Sequence, residues 1–283
     1  MTDSDVFFRK GVDMYNIWYK FIDTDHYNSK AYDYFMIAKT KFIIEKNNEK
    51  TKECFDWMIK CISSNKNSYL ISNNGKMYEE YAELLLYKLK NETEAIKYYK
   101  MAIEHYSNNS NLHAIIKIKE KLGDYYKSNS EYQKSIEIYS DVTSIYPEMN
   151  YSYTKTQKIL YELYVSIKDF EKAYGVYDSL LNNDKNQKFL QSDYAFGAML
   201  NYIIFDREMA ESKYKQYCSK ISSFSNDRKG KFINDIISSL DYNEPDNFDK
   251  YVNNYDEINK LNSIEKILLS EIKNMMYDEM SLL

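Results

Sequence analysis

The stretch LGDYYKSNSEYQKSIEIYSDVTSIYP, Leu122 to Pro147, decides how this chain folds. Two helices packed as a hairpin need a small residue where their backbones approach. They also need an aromatic one turn later to fill the groove, and a stop after the second helix. Ser135, Tyr139 and Pro147 supply these in order, with Leu122, Gly123 and Tyr126 on the first helix.

The same frame returns along the chain. LYELYVSIKDFEKAYGVYDSL gives Leu160, Tyr164, Ala173, Tyr177 and Leu180, and LYKLKNETEAIKYYKMAIEHY gives Leu86, Ala95, Tyr99 and Ala102. Downstream, DREMAESKYKQYCSKI gives Ala210, Tyr214 and Tyr217; near the start, Ala31, Phe35 and Ala38 recur, as do Thr51, Phe55 and Met58. These are tetratricopeptide positions, and from Ala95 onward the small residues return at intervals of roughly 40, slightly longer than the standard repeat. Each hairpin has an apolar face that it cannot cover alone, so neighbours must stack. The expected fold is all-α. A tetratricopeptide-like α-solenoid, a twisted sheet of helical hairpins with one concave face, spans residues 1–220, and an acidic C-terminal helical bundle spans 221–283. The last part keeps helical periodicity through Phe248, Val252, Tyr255, Ile258, Leu261, Ile264 and Leu268 without the repeat signature. The polar tracts SSNKNS, SNNSN and NNDKNQ read as turns.

Composition narrows the function. Hydrophobic residues make up 44% of 283 positions, against six Gly and two Pro, which is the balance of a folded helical chain. The opening MTDSDVFFRKGVDMY is acidic, and no segment approaches the ~18 apolar residues of a bilayer span, so a cytoplasmic chain without a signal peptide is expected. Cys54, Cys61 and Cys218 are odd in number and lack metal spacing, which reads as reduced thiols. The many tyrosines read first as core and surface filling. His26, His105 and His113 are too far apart to suggest a metal pair or an acid–base motif by spacing, and no phosphate loop or nucleophile elbow occurs. No catalytic residue, metal or cofactor is expected. A net charge of −5 with no dense basic run argues against nucleic acid. That charge is uneven: residues 241–283 hold ten Asp/Glu against four Lys, a net of −6, and the remainder is close to neutral. A one-signed end either solubilises the chain or docks on a basic partner.

The long repeats, together with SSFSNDRKGKFINDIISSLDYNEPDNFDKYVNNYDEINKLNSIEKILLSEIK, resemble the soluble NSF attachment proteins, or SNAPs. Phe224 to Arg228 is similar to the family's Phe-x-x-Ser-Arg segment. An acidic turn follows, then Tyr255-Asp256-Glu257-Ile258 with Leu261, then Leu268-Leu269 with Ile272-Lys273. EAIKYYKMAIEHY and YQKSIEIY also resemble the family's repeats, and the likeness covers almost the whole chain. It implies a non-enzymatic adaptor, peripheral on the cytosolic face of membranes, that serves vesicle fusion and intracellular transport. Such an adaptor coats a syntaxin-like four-helix SNARE bundle and recruits the hexameric AAA+ ATPase NSF, which takes the bundle apart.

Three surfaces follow from that resemblance. The concave face is expected to carry basic residues for the acidic bundle. Lys117 and Lys155 stand at such positions, Lys46 is a further match, and Lys158 and Lys119 lie close by; Asn111 and Gly197 replace neighbouring basic positions. A solvated helix face accounts for any one of these lysines equally well. An N-terminal apolar loop is expected to dip into the bilayer, and Ile17, Trp18, Phe21 and Ile22 occupy its place, with Tyr19 and Lys20 among them. Met14, Trp18 and Phe21 also fit a buried first helix. Acidic residues on the last helices and a penultimate leucine are expected to engage the ATPase. Here these are Asp241, Glu244, Asp246, Asp249 and Leu282, with Asp278 and Glu279 near the tail. Two other readings stay open: a generic tetratricopeptide scaffold with a peptide groove, and a gamma-like or viral SNAP homologue that binds SNAREs without activating NSF.

Overall fold

Every regular element of the computed structural model is helical among the residues it describes, namely 2–17, 23–64, 74–145, 151–182, 190–242 and 244–281. A first unit, Met1–Ile118, contains α1 (Asp3–Tyr15), α2 (Thr24–Ile44), α3 (Asn48–Ser63), α4 (Asn74–Glu83) and α5 (Glu92–Asn108). Helix α4 runs into a π-helical turn, Leu84–Lys88. The boundary falls within α6 (Leu112–Ser128). The second unit, Lys119–Leu283, continues with α7 (Tyr132–Ile145), α8 (Tyr151–Ser166), α9 (Phe170–Asn182), α10 (Gln191–Phe205), α11 (Ala210–Lys220), α12 (Arg228–Asp241), α13 (Pro245–Ile258) and α14 (Ser263–Ser281). Helices adjacent in sequence pair: α1 with α2, α2 with α3 and α4 with α5 in the first unit, and α7 with α8, α8 with α9, α9 with α10 and α12 with α13 in the second. Among the described residues, no helix is long and apolar enough to cross a membrane.

One turn recurs between helices. Lys46, Ser110, Ser130 and Lys168 adopt φ near +60°, at 56°, 53°, 62° and 60°. The next N–H in each case donates to the carbonyl five residues back: Asn47 to Phe42, Asn111 to Tyr106, Glu131 to Tyr126 and Asp169 to Tyr164, all at 2.8–2.9 Å. The left-handed residue itself donates three residues back, completing a Schellman closure. Asn47, Asn111 and Asp169 then cap the following helix by accepting the N–H of Lys50, Ala114 and Lys172. Stop and start are thus fused in two residues, which leaves the chain little choice but to double back. Lys90, with φ 56°, makes a fifth such turn. There Asn91 reaches six residues back to Leu85, because the π turn inserts one extra residue. Of the polar tracts, SNNSN forms the α5–α6 turn, while most of SSNKNS and NNDKNQ lies outside the described residues.

Close backbone approach sets the hairpin spacing. Ala31, Ala95, Ser135 and Ala173 are wholly buried, as are Phe35, Tyr99 and Tyr139. Ser135 Oγ donates to the Gly123 carbonyl at 2.9 Å, tying α7 to α6 where Tyr139 lies flat on the glycine. A Cβ on Gly123 would sit 2.6 Å from that ring, and one on Gly197 would meet Tyr177 at the same distance. Tyr139 cannot swing away freely, because its hydroxyl donates to Asp124 Oδ1 at 2.6 Å. Such tyrosine–carboxylate links join other helix pairs: Tyr81 to Asp56 at 2.5 Å, and Tyr217 to Asp178 at 2.6 Å. Burial, followed by the neighbouring carboxylate, pushes the pKa of Tyr81, Tyr139 and Tyr217 well above the ordinary phenol range.

The second unit wraps around α10. Tyr194, Ala195, Phe196, Ala198, Met199, Leu200 and Ile203 are buried on every side of it, and α9, α11, α12 and α14 supply the cover. Phe248, Leu261 and Leu268 from the C-terminal periodicity enter this core. Ile258 does not: at the end of α13 it is 65% exposed, and the chain leaves the helix extended at Asn259 before Leu261 turns back inward.

Two outcomes follow from this packing. Gly123→Ala should destabilise the chain by about 1–3 kcal/mol in urea unfolding, since the new methyl overpacks a tethered ring. Gly175→Ala, where nothing lies within 4 Å of the added carbon, should stabilise it by roughly 0.5–1 kcal/mol. The buried tyrosines have folded pKa values raised above the unfolded value of about 10, so their contribution is fully present below that pH and is lost progressively as pH rises from there through the folded pKa. Each one that stays protonated adds a slope of about −1.4 kcal/mol per pH unit above pH ~10. Tyr139→Phe should flatten the measured slope by about one such increment.

Candidate functional site

The candidate lysines differ in how free their charge is. Lys46 is the left-handed residue of the α2–α3 turn and is exposed. Lys117 is exposed on α6, beside a groove of about 400 Å³ also lined by Lys76, Glu79, Glu80, Glu83 and Tyr106. Two of those carboxylates are engaged: Glu80 by Lys39 at 2.6 Å and Glu79 by the Tyr106 hydroxyl at 3.1 Å. Lys155 is exposed on α8. Lys158 is half-buried, its ammonium 5.5 Å from the centre of the Tyr194 ring, at a cavity of about 220 Å³ shared with Tyr161, Asp193, Lys229 and Glu265. Among the described residues none of Lys46, Lys117, Lys155 and Lys158 has a carboxylate within ion-pairing distance. Lys119 is different: it is paired with Asp141.

Two departures from the family's basic pattern have structural reasons. Asn111 caps α6 through the Ala114 N–H, so its side chain is committed to the helix start. Gly197 is buried beneath Tyr177, itself stacked on Tyr161 with ring centres 3.7 Å apart, so any longer side chain there would displace the pair.

The acidic residues separate in the same way. Asp241 ends α12, Glu244 stands at the start of α13, and Asp246 lies in the first turn of α13; all three are exposed. Asp246 lies near the positive end of the α13 dipole, which favours its charge. Asp249 is paired with Lys273 of α14 at 2.7 Å. Asp256 accepts the Leu261 N–H at 2.7 Å, which holds its carboxyl below the usual carboxylate range, with Lys266 a smaller influence. Glu271 is bridged to Lys168 at 2.7 Å. Half-buried Ile17 follows α1. Trp18, Phe21 and Ile22 of the expected membrane loop, and Leu282 of the tail, lie outside the described residues. Sequence reasoning missed the tyrosine–carboxylate links and the apolar surface of α2. The spacing of the acids to the tyrosines carries no signal, because each link crosses between helices.

Among the described residues, antiparallel helical hairpins carry lysines without a carboxylate partner in both units and exposed acids at the α12–α13 junction. The sequence model of the family described as soluble NSF attachment protein, SNAP, matches residues 9–277, and the chain belongs to that family. SNAP-family proteins are non-enzymatic adaptors, and this chain is one of them. The alpha-soluble NSF attachment protein of Dictyostelium discoideum is 23% identical over 195 residues, covering 67% of this chain and 67% of that protein. Among solved structures, BtubC (BKLC) from P. vanneervenii is similar at a TM-score of 0.38, with 13% identity over 80% of this chain and 93% of that one. The apo form of RapI gives 0.43, with 11% identity over 88% and 97%. Both overlaps are loose.

Proposed function

We propose that this chain is a SNAP-type adaptor that binds a SNARE four-helix bundle and recruits an NSF-type AAA+ ATPase to disassemble it, in membrane fusion and intracellular transport. The observation that carries the reading, beside family membership, is the pair Lys117 and Lys155. Both are exposed and lack a carboxylate partner among the described residues, whereas Lys119 between them in sequence is neutralised. A charge held away from its neighbours' acids is available to an acidic partner, and such contacts steer association and weaken with salt. Lys46 and Lys158 are secondary contacts in this reading. Several weak contacts of this kind gain strength when several adaptor copies share one bundle.

Residues 221–283 act as the ATPase-facing part in this proposal. Asp241, Glu244 and Asp246 supply the free negative charge, and Leu282 supplies the apolar end. Asp249 contributes less, being engaged by Lys273. The N-terminal segment with Ile17, Trp18, Phe21 and Ile22 rests on the membrane surface. A second reading, a homologue that binds SNAREs without stimulating the ATPase, is favoured by the thinned acidic set around Asp249.

Lys117→Glu combined with Lys155→Glu should reduce capture of a purified SNARE bundle at least tenfold at low salt, with the melting temperature unchanged. Persistent capture would falsify the lysine assignment. Deleting Ser281–Leu283 should abolish stimulation of purified NSF-type ATPase on a labelled bundle while leaving bundle capture intact. Unchanged stimulation removes the role given to Leu282, and a full-length chain that captures but never stimulates selects the second reading.

A further inference from the structure

Helix α2 is apolar on two sides. Ala31, Phe35, Ala38 and Phe42 are buried where α1 and α3 pack. Met36, Ile37, Ile43 and Ile44 form a second stripe and stand 42, 39, 52 and 75% exposed. Their spacing of one, seven and eight residues from Met36 puts them on one side of two helical turns, about 12 Å long. A helix that is apolar all round belongs in an interior, yet this side of α2 faces outward.

The stripe leads into a groove of about 860 Å³ in the first unit. Ile43, Phe55, Leu84 and Tyr87 give it apolar walls, and Lys46 and Lys88 stand on it. The π turn shapes that wall: Leu85 and Leu86 stay buried, while Tyr87 is 40% exposed and Lys88 is exposed beside it. Such one-turn π insertions cluster at functional sites. Lys39 and Glu80, also in the groove, neutralise each other at 2.6 Å. Lys46 and Lys88 have no carboxylate partner among the described residues, and half-buried Glu83 also lines the groove, so it presents a net excess of one positive charge beside apolar surface.

We infer that this groove binds a single amphipathic helix of a partner protein, its apolar stripe against Ile43, Ile44 and Tyr87 and its acidic flanks on Lys46 and Lys88. An assembled four-helix bundle keeps its apolar residues inside and offers a polar exterior, so it cannot cover this stripe. A lone helix with an open apolar face can, in the helix-in-groove mode read by anchors at i, i+3 or i+4, and i+7. The site therefore takes a different ligand from the bundle contact proposed for Lys117 and Lys155, a helix not yet, or no longer, bundled. It adjoins that contact all the same: it includes Lys46 and shares Glu80 and Glu83 with the groove beside Lys117.

The test is a displayed library of helical 15-residue peptides selected on the full chain and counter-selected on Ile43→Ser/Ile44→Ser. Both isoleucines are exposed, so this variant should keep its melting temperature and its SNARE-bundle capture. Enriched peptides should carry apolar residues at helical spacing flanked by Asp or Glu. A synthetic consensus peptide should bind at least tenfold more weakly to the double variant and several-fold more weakly to Lys88→Glu. The inference is overturned if enriched peptides are basic or aperiodic, if nothing is enriched, or if the consensus peptide binds the double variant equally. It is also overturned if sedimentation shows a wild-type dimer that the double variant abolishes, since the stripe would then be covered by a second copy. Flotation of the wild type, but not the variant, with anionic vesicles would assign the stripe to a membrane and overturn it too.

Discussion

The seating of an aromatic ring on a glycine or small residue of the neighbouring helix is the contact on which the rest of this structure depends. It sets how near two helices can lie, and it does so at Gly123 under Tyr139 and at Gly197 under Tyr177. Only a residue without Cβ leaves room for the ring at that distance. The polar bonds around the contact, Ser135 to the Gly123 carbonyl and Tyr139 to Asp124, keep ring and backbone in register without leaving a buried donor unpaired. The Schellman turns then need only two residues to reverse the chain, and their left-handed Lys and Ser residues are tolerated because the closing hydrogen bonds hold them there.

Rigid hairpins matter to an adaptor because its work is done by placement. Part of the charge on this chain is spent internally: Lys39 pairs with Glu80, Lys127 with Glu162, Lys168 with Glu271 and Lys273 with Asp249, each link reaching beyond one helix. Exposed pairs of this kind add little stability each, yet they remove the paired residues from any binding surface. What is left over is informative. Among the described residues Lys117 and Lys155 have no carboxylate partner, and Asp241, Glu244 and Asp246 are exposed acids around the α12–α13 junction. In the proposed reading, an adaptor between an acidic bundle and a basic ATPase domain requires charge of both signs.

Much of this was legible in the sequence. The repeat frame placed Ala31, Ala95, Ser135, Ala173 and Ala210, and all five are buried. Helix–helix packing has a sequence period, so the small and aromatic positions announced themselves, and the C-terminal segment announced the family. The same periodicity could not tell which apolar stripe of α2 would be covered, since Phe35 and Met36 are equally apolar and differ only in which neighbour arrives. It also counted Ile258 in the helical periodicity of the last part, where the residue stands exposed at the end of α13.

The sequence by itself determined the all-α hairpin frame, the positions of the repeat's small residues and the excess of acid at one end, because these are properties of spacing and composition along one chain. Only the tertiary structure decided which charges remain free, that Asn111 is a cap and Gly197 a seat for Tyr177, and that the π turn sets Tyr87 and Lys88 beside Ile43. Pairing, capping and exposure depend on side chains that meet across helices tens of residues apart, and no linear period records which of them meet.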